Sequence, residues 1–221
     1  MAELPTARLE IILGLTAFAA GAVDVISFAK LGGILASAMT GNLAFLGFYL
    51  SRGSFASAVS SMIALAGFVA GSAAGTLLSR TREPRAAIRA LLGVECLLLT
   101  AAGAVWLPTH HRNGSLSGDA VILLLAISMG IQSITGKRLN LSNVPTIVFT
   151  STLTNIVMAV TGMVASGKAE SPEDTRRQIA AFLLYFLGAL GAGFAVYGQL
   201  GVLICMPLAA VGVAASTALR P

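Results

Sequence analysis

Charge is what this sequence has least of. Asp, Glu, Lys and Arg make up 10% of its 221 residues, where a soluble domain carries roughly 25%. Too few remain to cover a water-facing surface. With hydrophobic residues at 56% and a mean hydropathy of +0.87, the shortage excludes a soluble globular fold and leaves a multi-pass membrane protein. Cysteine is as scarce. Cys96 and Cys205 each lie in an apolar run, with no C-x-x-C pair and no metal-ligand spacing, and read as small buried packers. The two histidines, His110-His111, are adjacent in a Gly/Asn/Ser loop; without suitably spaced partners they make a solvated loop, not a metal site. No Ser-His-Asp set and no nucleotide loop occurs. Neither an enzyme activity nor a cofactor or metal is expected.

The net charge of +5 does not indicate nucleic acid. The basic residues stand singly or in short loops between apolar runs, where they anchor helix ends. Ala17-Phe18-Ala19 has the look of a signal-peptidase site, but Arg8 is offset by Glu3 and Glu10 and the apolar run continues to Phe28. The first segment is therefore expected to be a retained helix.

What is present is long apolar runs. Eight can be laid out, over Leu9–Ala29, Ile34–Leu50, Ala56–Ser79, Ala86–Leu107, Asp119–Gly136, Thr146–Ala165, Ile179–Tyr197 and Leu200–Leu219. Most approach the ~20 residues that a spanning helix needs. The expected fold is all-α, a polytopic bundle forming one integral membrane domain. Ser171-Pro172-Glu173-Asp174 supplies an N-cap, an N1 proline and first-turn acids for the seventh helix, and Pro84 opens the fourth. The second segment is short and interrupted.

The halves 9–107 and 119–219 show a common pattern. Gly21, Thr40 and Leu43 lie over Gly130, Thr150 and Leu153 with one gap, and Gly67 answers Gly188. Each half reads as a glycine-bearing helix, a polar break, a Thr-rich short helix and a Gly/Ala helix. The second and sixth helices are expected to be broken near Gly41 and Ser151. Four crossings per half make the repeats parallel, which is the layout expected; an odd count makes them inverted. With eight crossings Lys and Arg divide seven to seven between the faces, so the positive-inside count gives no orientation.

The polar groups inside hydrocarbon are the functional suspects, because an uncompensated one there is costly. Asp24 lies ~22 Å along the first helix from Leu9, Thr40 ~9 Å into the second segment and Glu95 ~15 Å beyond Arg85. Gly32-Gly33 and Gly41 free the backbone from helix. Asn42, Asn155, Gln132, Thr40 and Thr150 offer donors and acceptors. A cavity lined by Asp24, Thr40, Gly41, Asn42, Gln132, Thr150 and Asn155 is expected to bind a small polar solute or ion. Asp24 and Glu95 are the proton-coupling candidates, and Asp24 is expected to pair with Lys137 or Arg138. Gly67, Gly71 and Gly75 form a small-residue stripe for packing inside the bundle or for a homodimer.

Gly21-Ala22-Val23-Asp24, Phe28-Ala29-Lys30-Leu31-Gly32-Gly33, Met39-Thr40-Gly41-Asn42-Leu43, Gly130-Ile131-Gln132, Val144-Pro145-Thr146 and Thr150 resemble the YoaK-like family of uncharacterised bacterial membrane proteins. The resemblance implies a multi-pass protein of the bacterial cell membrane and brings no substrate, cofactor or catalytic residue. From the residues themselves, a small-solute or ion transporter is expected; the alternative is a membrane scaffold or assembly protein.

Overall fold

The computed structural model describes residues 5–107, 115–139, 149–166, 172–198 and 205–219. It folds them into eight helices: α1 (Thr6–Lys30), α2 (Met39–Ser51), α3 (Phe55–Arg80), α4 (Pro84–Trp106), α5 (Leu116–Leu139), α6 (Phe149–Ser166), α7 (Pro172–Tyr197) and α8 (Cys205–Leu219). The bundle is all-α, and α1, α3, α4, α5 and α7 are long and apolar enough to cross a bilayer. Pro84 stands in the first turn of α4, and Pro172, Glu173 and Asp174 open α7, where a missing N–H and negative charge suit the helix N-terminus. These polar turns carry α7 out ahead of its apolar run. The adjacent histidines at 110 and 111 lie outside the described residues.

Small residues decide which helices form the centre. α1 packs against α7 and α8, and α5 against α3 and α4. A Cβ at Gly21 would overlap the carbonyl of Tyr185, and one at Gly188 that of Phe18. On the other seam, Gly71 lies on the carbonyl of Ile127 and Gly130 on that of Phe68. Backbones this close leave no room for a side chain, so glycine is required. The glycine of α3 that does what Gly188 does on α7 is therefore Gly71, one turn beyond Gly67. Gly67, Gly71 and Gly75 all face α5, against Ala126, Ile127 and Ile134. The stripe is consumed inside the chain and offers no surface to a second copy.

Contacts along these seams fix the helix directions. α3 and α5 run the same way, since Ser60 meets Asp119 near their starts and Ser79 meets Arg138 near their ends. α1 and α7 also run together, with Glu10 on Arg177 near the starts and Phe18 on Gly188 midway. The short α2 does not carry the chain across. Asp24, ~9 Å inside the end of α1, holds Ser37, and Tyr49 near the end of α2 reaches the carbonyl of Gly32. The chain thus dips into the bundle and returns to the end where α1 stopped. Arg89, early in α4, donates to the carbonyl of Ala218 at the end of α8, which places that end beside the end of α3. It follows that α1 and α7 run opposite to α3 and α5. The end of α5 and the start of α7 then share one face, so α6 between them is no crossing either. Among the described residues α1, α3, α4, α5 and α7 are long enough to run from one face to the other, and the shorter α8 brings the chain back to the face where α4 begins.

The interruption of the second segment is Leu31–Ala38, ahead of Gly41 rather than at it. Gly32 and Gly33 make the turn at φ of 82° and 80°, a region only glycine enters at little cost. Gly41 stands within the first turn of α2. α6 is continuous from Phe149, with Ser151 in its first turn, and residues 140–148 lie outside the described ones. The new topology also redistributes charge. One face holds Arg8, Arg80, Arg82, Arg85, Arg89, Lys137, Arg138, Arg176 and Arg177, and the other Lys30 and Arg52. Among the described residues the tie becomes nine to two.

Candidate functional site

Asp24 is buried, and its carboxylate is fully engaged. Oδ1 accepts the Ser37 N–H at 2.7 Å, while Oδ2 accepts the Ser37 hydroxyl at 2.6 Å and the Tyr185 hydroxyl at 2.7 Å. Three donors on one carboxylate offset the cost of removing it from water. They also tie α1, the re-entrant loop and α7 at a single point. Asn42, fully buried in the first turn of α2, completes the fold of the loop: its Oδ1 accepts the Leu35 N–H at 2.9 Å and its Nδ2 donates to the Leu35 carbonyl. The side-chain amide stands in for the backbone partner that a non-helical residue lacks. Asp24 and Asn42 thus hold two nearby points, Ser37 and Leu35, in the second half of one loop.

A second polar locus lies at the centre of the bundle. Glu95 is the middle residue of α4, eleven residues from Pro84 and eleven from Trp106. Ser128 stands at the middle of α5, and Gln132 one turn beyond it. The Gln132 Nε2 donates to the Thr16 carbonyl of α1 at 2.9 Å. All three side chains are fully buried, yet both Glu95 carboxyl oxygens, the Ser128 Oγ and the Gln132 Oε1 have no hydrogen-bond partner. Leu91 of α4 packs with Ile131 and Ile134 of α5. Because these helices are antiparallel, that register brings Glu95 level with Ser128.

The expected seven-residue cavity is not assembled as one lining. Asp24 and Asn42 meet around the loop, with Gly41 beside Leu35, but the amide is spent on the Leu35 backbone and the carboxylate on Ser37 and Tyr185. Thr40 is exposed on α2. Thr150 is exposed and Asn155 half-buried on α6, which packs on α7. Gln132 belongs to the central locus with Glu95. Asp24 does not pair with Lys137 or Arg138. The ends of α1 and α5 lie at opposite faces, and Arg138 donates to the Ser79 hydroxyl at 3.1 Å instead. Ser37, Tyr185 and Ser128 were not foreseen. Tyr185, one of three tyrosines in the chain, carried a signal in being a hydroxyl within an apolar run; a serine among small residues carries none.

With this geometry in view, comparison with known proteins gives two findings. A family model described as "Protein of unknown function (DUF1275)" matches residues 12–219. The chain is also 30% identical over 190 residues to a Bacillus subtilis protein named "UPF0700 transmembrane protein YoaK", covering 81% of this chain and 80% of that one. No solved structure matches.

Proposed function

The chain belongs to this family of transmembrane proteins of unknown function, and from that premise we propose that it is a transporter of a small polar solute or ion, not an enzyme, built from two inverted repeats in a bacterial cytoplasmic membrane. Support for the repeat comes from paired contacts at constant spacing. Phe18 and Gly21 of α1 stand 109 residues before Ile127 and Gly130 of α5, and Phe68 and Gly71 of α3 stand 117 residues before Tyr185 and Gly188 of α7. Each residue makes the contact that its counterpart makes in the other half. The Glu10–Arg177 and Ser60–Asp119 pairs keep the same spacings. Since α1 and α5 run in opposite directions, the pseudo-twofold axis lies in the membrane plane, and α2 and α6, the two helices that do not cross, belong to opposite faces. The nine-to-two division of Lys and Arg among the described residues supports a cytoplasmic side at the ends of α3 and α5.

The observation that carries the transport reading is the Leu31–Ala38 loop. Non-helical backbone at membrane depth persists only where protein buries it or where it lines a pathway. Here glycines that break the helix and a carboxylate that holds the break are placed together. The test begins with thermal-shift screening of the purified chain against inorganic ions, amino acids, organic acids and nucleosides, since a ligand that binds the native state raises its melting temperature. A stabilising compound, radiolabelled, is expected to accumulate in proteoliposomes holding the wild type and not in empty liposomes. Absence of both stabilisation and uptake across these classes would leave the scaffold reading in its place.

A further inference from the structure

The Asp24 clamp is satisfied by its own loop, whereas the central locus is not satisfied by anything in the described chain. Four oxygens, two on Glu95 and one each on Ser128 and Gln132, are buried within about one helical turn of the middle of the bundle without a hydrogen-bond partner. Buried polar atoms are almost always paired, and a carboxylate in the middle of a membrane helix is among the most costly to leave bare. The deficit has one chemical character. Three of the four, the Glu95 carboxylate oxygens and the Gln132 Oε1, can only accept, and the Ser128 hydroxyl, able to donate or accept, cannot satisfy all of them, so what the locus lacks is a positive centre.

No side chain provides one. The helices packed on α4 are α3, α5 and α8. Their charged groups Arg80, Asp119, Lys137 and Arg138 stand at helix ends, and Cys205 opens α8. On α4 itself Arg85 stands in the first turn, ten residues or ~15 Å from Glu95, Arg89 is committed to the Ala218 carbonyl, and Cys96 is the neighbouring thiol. Water alone is a poor answer, because two carboxylate oxygens would retain their charge. We propose that Glu95, with Ser128 and Gln132, is the binding site for a single small cation, H⁺ or Na⁺, at the midplane of the bundle. Bound as a proton, the cation turns Glu95 into a donor toward the neighbouring oxygens. Bound as Na⁺, it takes the same oxygens as ligands, the hard donors that such an ion prefers. Gln132 reaches α1 through Thr16, so occupancy is felt at the helix that carries Asp24. The inference deepens the transport reading, on which the purpose of the cation rests, but cation binding is measurable without transport.

The test uses the purified full chain in detergent. Melting temperature is followed as Na⁺ replaces choline at constant ionic strength, and infrared difference spectra follow the carbonyl stretch of a protonated carboxyl as pH is raised. A Na⁺-dependent rise in melting temperature assigns Na⁺. A carboxyl band that disappears with rising pH, and is indifferent to Na⁺, assigns the proton. Glu95→Gln, isosteric and neutral, is expected to abolish whichever response is seen. Ser128→Ala and Gln132→Met are expected to move a Na⁺ midpoint about tenfold, the consequence of one lost partner, or to shift the carboxyl band of a bound proton. Should Glu95→Gln fail to fold, these two variants decide. The proposal is overturned if the wild type shows neither response, if its carboxyl band persists unchanged at every pH, or if the response survives in all the variants that fold. Uptake in proteoliposomes without any cation response would sink this site and leave the transport reading standing; a cation response without uptake would do the reverse.

Discussion

A methyl group added at Gly188 would overlap the carbonyl of Phe18, and one at Gly71 that of Ile127, whereas at Gly93 it would meet nothing within 4 Å. Gly188→Ala and Gly71→Ala are expected to spread their helix pairs and cost about 1–3 kcal/mol, the range for overpacking. Gly93→Ala is expected to be neutral or mildly stabilising, because it removes backbone freedom from a helix interior. Thermal unfolding in detergent separates them; equal effects at all three positions would contradict the seams described. At Asp24, Tyr185→Phe and Ser37→Ala each remove one donor to a charged acceptor, worth about 1.5–3 kcal/mol. Asp24→Asn is expected to cost more than Tyr185→Phe. Its amide offers one acceptor oxygen and turns an NH₂ toward groups that already donate. That Asp24 matters was legible in the sequence, because an acid in hydrocarbon has few bland explanations. That its partners are Ser37 and Tyr185 was not, because hydroxyls 13 and 161 residues away leave no local pattern.

The element whose behaviour depends most on a few groups is the loop between α1 and α2. It has no helical ladder of its own and is held by Asp24, Asn42 and the positive-φ glycines. Asn42→Ala removes both bonds to Leu35. It is expected to speed hydrogen exchange at Leu35 and Ser37 while leaving the α3–α5 seam protected, since local openings draw on local contacts. Exchange that rises equally across α3 and α5 would show the loop to be no separate unit. Apolar length alone located α1, α3, α4, α5 and α7, and proline with first-turn acids located the start of α7. The fate of the second segment was undecided at that level, because a short apolar run can cross, tilt or return. The bonds from Ser37 back to Asp24 and from Tyr49 back to Gly32 together settle that it returns.

For the whole molecule, the six-crossing topology makes a prediction that eight crossings do not share. In a background with Cys96 and Cys205 replaced by serine, Gly53→Cys is expected to react with a membrane-impermeant maleimide in intact cells. Thr6→Cys and Arg82→Cys are expected to react only after permeabilisation. An eight-crossing chain would put residues 6 and 53 on one face, so equal labelling of those two would overturn the re-entrant α2. The same experiment reads the orientation inferred from the division of Lys and Arg.

By itself the sequence determined an all-helical membrane bundle, its eight segments and the two acids that sit uncomfortably within it. These follow from hydropathy, helix length and the scarcity of charge, which are properties of residues and their near neighbours. Helix directions, the grouping of basic residues on one face, the pairing of Gly71 with Ile127 and Gly188 with Phe18, and the register that sets Glu95 level with Ser128 were decided by the tertiary structure. Each depends on whether a short segment crosses or turns back. That choice is made by hydrogen bonds between separate points on the chain, and no periodicity along the chain records it.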